Sequence, residues 1–193
     1  MFALIIGINK YQWKEDFSFL RGAVPDGNAF RDYLMKGLHV PGDQISTLFD
    51  EQATRSAIIQ AFQNLSTDPR ISKGDPIFIF YAGHGSQKRP PPDWKELNPK
   101  IEVIIPYDCT LDQTPARAFV PPIPDRTIGA LIDDIAIKKG NNIVSGLGGL
   151  NPRSHPICLL KIRLLCLTAV IQRRERVAAK TKTTLQPSFV LFF

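Results

Sequence analysis

The sequence of 193 residues predicts an α/β fold with a mainly parallel sheet, on three observations. Short apolar runs bounded by turn residues have the length of strands buried on both faces. Amphipathic helical patterns lie between them, and the two kinds of segment alternate along the chain. The first run is Phe2 to Ile8, ending in Gly7-Ile8-Asn9. Asp26 to Leu38 then sets Ala29, Phe30, Tyr33, Leu34 and Leu38 at helical spacing, with Gly37 and Gly42 as stop signals. Gln44 to Phe49 reads as a strand. Thr54 to Leu65 places Ile58, Ile59, Ala61, Phe62 and Leu65 on one stripe, with Thr54 as N-cap. Pro76 to Ala82 is a second fully buried run, closed by Gly83-His84-Gly85. Gln87 to Lys100, with four prolines, reads as an exposed loop. Ile101 to Pro106 is another apolar strand. After the break at Pro121 to Pro124, Asp125 caps a helix from Arg126 to Lys139 that turns Ile128, Leu131, Ile132, Ile135 and Ala136 inward. Gly140 stops that helix, and Asn141-Asn142-Ile143 opens a further strand.

Charge separates the chain into two parts. There are 24 Lys and Arg against 18 Asp and Glu, a formal +6. Eight of those bases and one of those acids follow residue 143, a balance of +7. Residues 1–143 keep 16 bases and 17 acids, a balance of −1. The basic excess therefore belongs to a tail with neither a nucleic-acid motif nor aromatic residues interleaved among its charges, so nucleic acid is not the expected partner. No apolar stretch approaches the ~18 residues of a membrane span, and the N-terminal run is too short for a signal sequence. Three cysteines, Cys109, Cys158 and Cys166, show no CxxC or CxxH spacing. Neither a disulfide framework nor a zinc site follows, and a reducing, cytoplasmic setting is the expectation.

In parallel sheets ligands and catalytic groups gather at the carboxyl ends of strands. That directs attention to Gly7 to Tyr11 and to Gly83 to Ser86. His84 stands between two glycines at such a strand end, and histidine is the usual general base for a thiol or hydroxyl nucleophile. The same residue in a turn also has a purely structural reading.

The segments Leu4-Ile5-Ile6-Gly7-Ile8-Asn9-Lys10-Tyr11, Leu20-Arg21-Gly22-Ala23-Val24-Pro25-Asp26, Asp50-Glu51-Gln52-Ala53-Thr54-Arg55, Phe80-Tyr81-Ala82-Gly83-His84-Gly85-Ser86 and Ile123-Pro124-Asp125-Arg126-Thr127 resemble, in order, the caspase-like domain of fungal metacaspases. The resemblance implies a three-layer sandwich around the parallel sheet, incomplete at its C-terminal side in this chain. It also implies a cysteine endopeptidase with a Cys-His dyad, acting on peptides and proteins after Arg or Lys, with His84 as the catalytic histidine. The backbone around Gly85 would hold the oxyanion, and Asp26 would be one acid of the substrate pocket; an N-cap is the other reading of Asp26. Family members often need calcium, for which no full ligand set can be matched.

The pattern breaks after Ile143. Where the family continues to an Asp-Cys-Cys-His-Ser-like nucleophile motif, this chain reads Val144-Ser145-Gly146-Leu147-Gly148-Gly149. Each of the three cysteines reads as a small buried hydrophobe or an incidental residue. Yet codons allowed for Leu167 to Val177, read one base earlier, regroup to encode Asp-Cys-Cys-His-Ser. Val144-Ser145 allows the consensus start of a spliceosomal intron, and Arg163 allows its terminal AG, roughly sixty bases later. The expectation is a caspase-like catalytic portion over 1–143, and a tail over 144–193 of retained intron followed by out-of-frame exon. Such a chain keeps His84 without its nucleophile and is inactive. The alternative is a pseudo-peptidase that associates with peptides or with other caspase-like chains.

Overall fold

The structure is a computed structural model, and it describes residues 1–91, 94, 100–111 and 117–148. Among the described residues the thirteen segments of regular structure fall inside one compact unit. Strands β1 (Phe2–Gly7), β2 (Ile45–Phe49), β3 (Ile77–Ala82) and β7 (Ile143–Gly148) form one sheet in the order β2-β1-β3-β7. Every pairing in it is parallel. β1 lies in the middle and all six of its residues are buried, as a strand covered on both faces requires.

The two faces of β1 feed two cores. Phe2, Leu4 and Ile6 pack with Ile58, Phe62 and Leu65 of α2 (Arg55–Thr67) and with Ile128 and Ile135 of α3 (Asp125–Lys139). Ala3 and Ile5 point the other way, to Leu34, Val40 and Phe30. The latter come from α1 (Ala23–Asp32) and the segment after it, so helices flank the sheet on both sides as a three-layer sandwich. A fully buried Ile, Leu or Phe contributes about 1.5–3 kcal/mol, and β1 alone supplies four such side chains at 4% exposure or less.

α2 begins as its sequence predicts, with the Thr54 hydroxyl accepting from the Ala57 N–H at 3.2 Å. α1 departs from expectation. It starts at Ala23 rather than near Asp26, and it widens into a π-turn over Tyr33–Gly37. Asp26 is accordingly not an N-cap; it sits inside the first turn, where a carboxylate also complements the positive helix end. Tyr33 is 53% exposed and Ala29 is exposed. The reason is that α1 meets the sheet through small residues, Ala23 and Gly27. A Cβ on Gly27 would lie 2.7 Å from Phe49 and 3.3 Å from Ile5. Close approach through Ala23 and Gly27 lies N-terminal to the apolar pair Phe30 and Leu34, and small residues there give periodicity no signal for the helix start.

A second, antiparallel sheet is made of β4 (Gly85–Lys88), β5 (Ile101–Ile104) and β6 (Ile123–Pro124). Its strand β4 begins within the glycine turn and runs into the segment read from the sequence as loop. β7 runs five residues past Ile143, alongside the whole of β3. The remainder of the 144–193 tail lies outside the described residues. Among the described residues no helix is long and apolar enough to cross a membrane.

Candidate active site

The chain leaves β1 on a fixed path. The N–H groups of Asn9 and Lys10 both donate to the Asp50 carboxylate, at 2.8 and 2.9 Å. Asp50 sits at the end of β2 with φ of 47°, in the left-handed region that short polar side chains tolerate. The Asn9 side-chain oxygen accepts from the Val24 N–H at 3.2 Å and its carbonyl from the Leu20 N–H at 2.9 Å. These bonds drive Tyr11 inward to 4% exposure.

Tyr11 and Tyr81 then hold the backbone of His84. The His84 N–H donates to the Tyr11 hydroxyl at 2.7 Å. The His84 carbonyl accepts from the Tyr81 hydroxyl at 2.8 Å and from the Ile105 N–H at 3.0 Å. Burial pushes the Tyr11 phenol up to about 12, against the opposing pull of the bond from His84. Tyr81, fully buried, is pushed well above the ordinary phenol range by the same cause. Both hydroxyls therefore stay protonated. Gly83 is required here by close approach: a Cβ would lie 2.7 Å from the Tyr81 hydroxyl oxygen and 3.2 Å from that of Tyr11. The glycine before His84 thus makes room for two tyrosine hydroxyls rather than opening the side of the imidazole.

The imidazole itself is fixed by rings and by one carbonyl. Tyr11 and Phe17 lie with ring centroids 5.0 and 6.3 Å from it. Nε2 lies 2.7 Å from the Ser18 carbonyl oxygen. A carbonyl only accepts, so Nε2 carries the proton, and in the neutral ring Nδ1 is left with the lone pair. That is the tautomer a general base needs, with the basic nitrogen turned away from its anchor.

Register places the end of β7 beside the strand that presents His84, with Gly148 opposite Ala82. Ser145 pairs with Ile79, three residues back along the strand and so about 10 Å from that end. No nucleophilic side chain of residues 143–148 is at the strand's carboxyl end. Among the described residues the cysteine is Cys109, fully buried, with its thiol pushed up to about 11 by burial. Such a thiol is inert. Cys158 and Cys166 lie outside the described residues. Asp26 is exposed on the first turn of α1, and among the described residues no hydrogen bond or ion pair joins it to His84. Gly85 pairs with Ile104. Because the Ile105 N–H already bonds the His84 carbonyl, ladder alternation turns the Gly85 N–H off the ladder. Among the described residues no three His, Cys, Asp or Glu side chains converge to hold a metal.

The caspase-domain family model matches residues 1–129. The chain belongs to the caspase family. Comparison with curated proteins returns no match. Among solved structures, the crystal structure of a protein from Geobacter sulfurreducens is similar to it, with a TM-score of 0.53 at 16% identity. That likeness covers 95% of this chain and 66% of the other, so the chain spans just under two thirds of that protein's length. At this identity it bears on the fold alone. For a caspase-family chain, the described residues supply a histidine in a defined tautomer at the expected strand end.

Tyr11, Tyr81 and Asp50 stand inside quoted segments, but their roles were not read from the sequence. Their contacts run through hydroxyls and backbone N–H groups across 73, 3 and 41 residues respectively. The one available signal was a tyrosine at each of two adjacent strand ends. Ser18 left no signal, since its shorter contact with the imidazole, at 2.7 Å, is through a main-chain oxygen, with its hydroxyl 3.4 Å from the same nitrogen.

Proposed function

We propose that residues 1–143 are the N-terminal portion of a metacaspase-type cysteine endopeptidase, of the fungal kind, that cleaves after Arg or Lys through a Cys-His dyad. We further propose that this chain, as translated, is inactive, because the tail over 144–193 replaces the nucleophile. The observation that carries the reading is the Ser18 carbonyl at Nε2 of His84, which leaves Nδ1 as the base. In the intact reading, Nδ1 takes the proton of a cysteine at the end of the strand next to β3. The thiolate adds to the scissile carbonyl, the imidazolium returns the proton to the leaving amine, and water hydrolyses the acyl-enzyme. The Gly85 N–H, turned off the ladder, is the proposed support for the oxyanion. Asp26 is the proposed acid for the basic substrate side chain, by charge-assisted hydrogen bonding.

The test is a repaired chain in which Ile143 continues directly into an apolar strand and the in-frame Asp-Cys-Cys-His-Ser motif. Turnover of an Arg- or Lys-terminated fluorogenic peptide is expected from it and lost in His84→Ala, whereas the chain as written gives none. Activity in the chain as written, abolished by His84→Ala, overturns the inactive reading. Sequencing the spliced transcript around Val144 decides the origin of the tail. The pseudo-peptidase alternative, in which the chain binds peptides or other caspase-like chains, is favoured if purified protein unfolds cooperatively without turning over substrate.

A further inference from the structure

Beside His84 lies an open groove of about 500 Å³, lined by Lys10, Tyr11, Lys14, Phe17 and Phe19. Tyr11 and Phe17 are the rings that flank the imidazole, so groove and histidine share a wall. Two features of this groove are out of balance. The first is charge. Lys10 and Lys14 are exposed, and among the described residues neither forms an ion pair. The acids nearest in sequence are committed elsewhere. Glu15 and Asp16 both pair with Arg117, at 3.4 and 3.5 Å, while that guanidinium stacks on Trp13 at 4.1 Å. Asp50 is occupied by the backbone of Asn9 and Lys10. The second is apolar exposure. Phe19 is 58% exposed, on a rim whose floor is the buried Tyr11.

We propose that this groove is a peptide-binding site for an acidic segment carrying an apolar residue, with Lys10 and Lys14 meeting the carboxylates and Phe17 and Phe19 covering the apolar side chain. Charge complementarity selects this occupant. A basic segment would face two uncompensated ammonium groups, and a purely apolar one would leave both of them unpaired. The proposal goes beyond the peptidase reading, because it concerns binding and holds with or without turnover.

The experiment uses the full chain and fluorescence anisotropy of a labelled peptide, Gly-Asp-Phe-Glu-Asp-Phe-Gly, against a counterpart with Lys at each acidic position. The acidic peptide is expected to bind about tenfold tighter or better at low salt, with affinity falling as ionic strength rises and the Debye length shrinks. Lys10→Glu with Lys14→Glu is expected to weaken it at least about tenfold, and the milder Lys10→Gln with Lys14→Gln to weaken it less. Phe19→Ser weakens it while leaving the salt dependence unchanged. Both lysines are exposed, so the Gln pair keeps the test decisive should charge reversal disturb the loop. Equal binding of the two peptides, no binding of the acidic one, or unchanged affinity in the Gln and Glu pairs overturns the proposal. Since no turnover is read, failure of the peptidase reading leaves this result untouched.

Discussion

Gly83→Ala tests whether the turn before His84 is set by close approach. A methyl at residue 83 would meet the Tyr81 hydroxyl oxygen at 2.7 Å, Cζ of the same ring at 2.9 Å and the Tyr11 hydroxyl at 3.2 Å, where ordinary contact begins at 3.4 Å. About 0.7 Å must therefore open, against a Tyr81 ring that is 1% exposed. If Tyr81 moves, its bond to the His84 carbonyl goes; if the turn moves, the bond from the His84 N–H to Tyr11 goes. Overpacking a buried site costs about 1–3 kcal/mol, and weakening one buried hydrogen bond costs about 1 kcal/mol more. The expected loss is about 2–4 kcal/mol, a large part of the 5–15 kcal/mol typical of a domain. Gly129→Ala is the control in the same chain. It lies within α3 with no atom within 4 Å of an added Cβ, and should gain about 0.5–1 kcal/mol from helix propensity. Urea unfolding followed by circular dichroism reads both variants. A Gly83→Ala value within about 0.5 kcal/mol of the parent, or two shifts of the same sign, refutes the reasoning.

Two further expectations rest on ionisation. Tyr11 is held up to about 12 against about 10 in an unfolded chain. A folded value raised above the unfolded one gives stability that is complete below about pH 10 and disappears as pH rises toward about 12. Unfolding midpoints measured across that window should fall, and less steeply in Tyr11→Phe; a flat profile contradicts the assignment. Cys109, buried with its thiol near 11, should react with a thiol reagent only on unfolding. In a chain with Cys158 and Cys166 replaced by serine, rapid native-state labelling would show that the site is open.

What the sequence made legible follows from how each element is stabilised. β1 and β3 were readable because strands covered on both faces must be continuously apolar. α2 was readable because Ile58, Phe62 and Leu65 form a stripe behind a threonine cap. α1 was placed three residues late because it packs through Ala23 and Gly27, and small residues at a close approach give no hydrophobic period. β4 was read as turn and loop because Gly-Ser-Gln-Lys has no strand pattern; its pairing with β5 is made by backbone. His84 was legible from its place between glycines at a strand end. The groups that orient it were not, because each contact is to a hydroxyl or main-chain atom, which leaves no pattern of side-chain types in the sequence.

The Ser18 carbonyl gives the histidine an unusual mutational profile. A main-chain oxygen has no side chain to lose, so substitution at position 18 that preserves the path of the chain leaves the proton on Nε2. Length is a different matter. One residue inserted between Tyr11 and Ser18 displaces the chain by up to about 3.8 Å, more than the whole 2.7 Å hydrogen bond. Substitutions at position 18 itself should therefore be tolerated, whereas the residue count of this loop is the quantity that selection on the base must preserve.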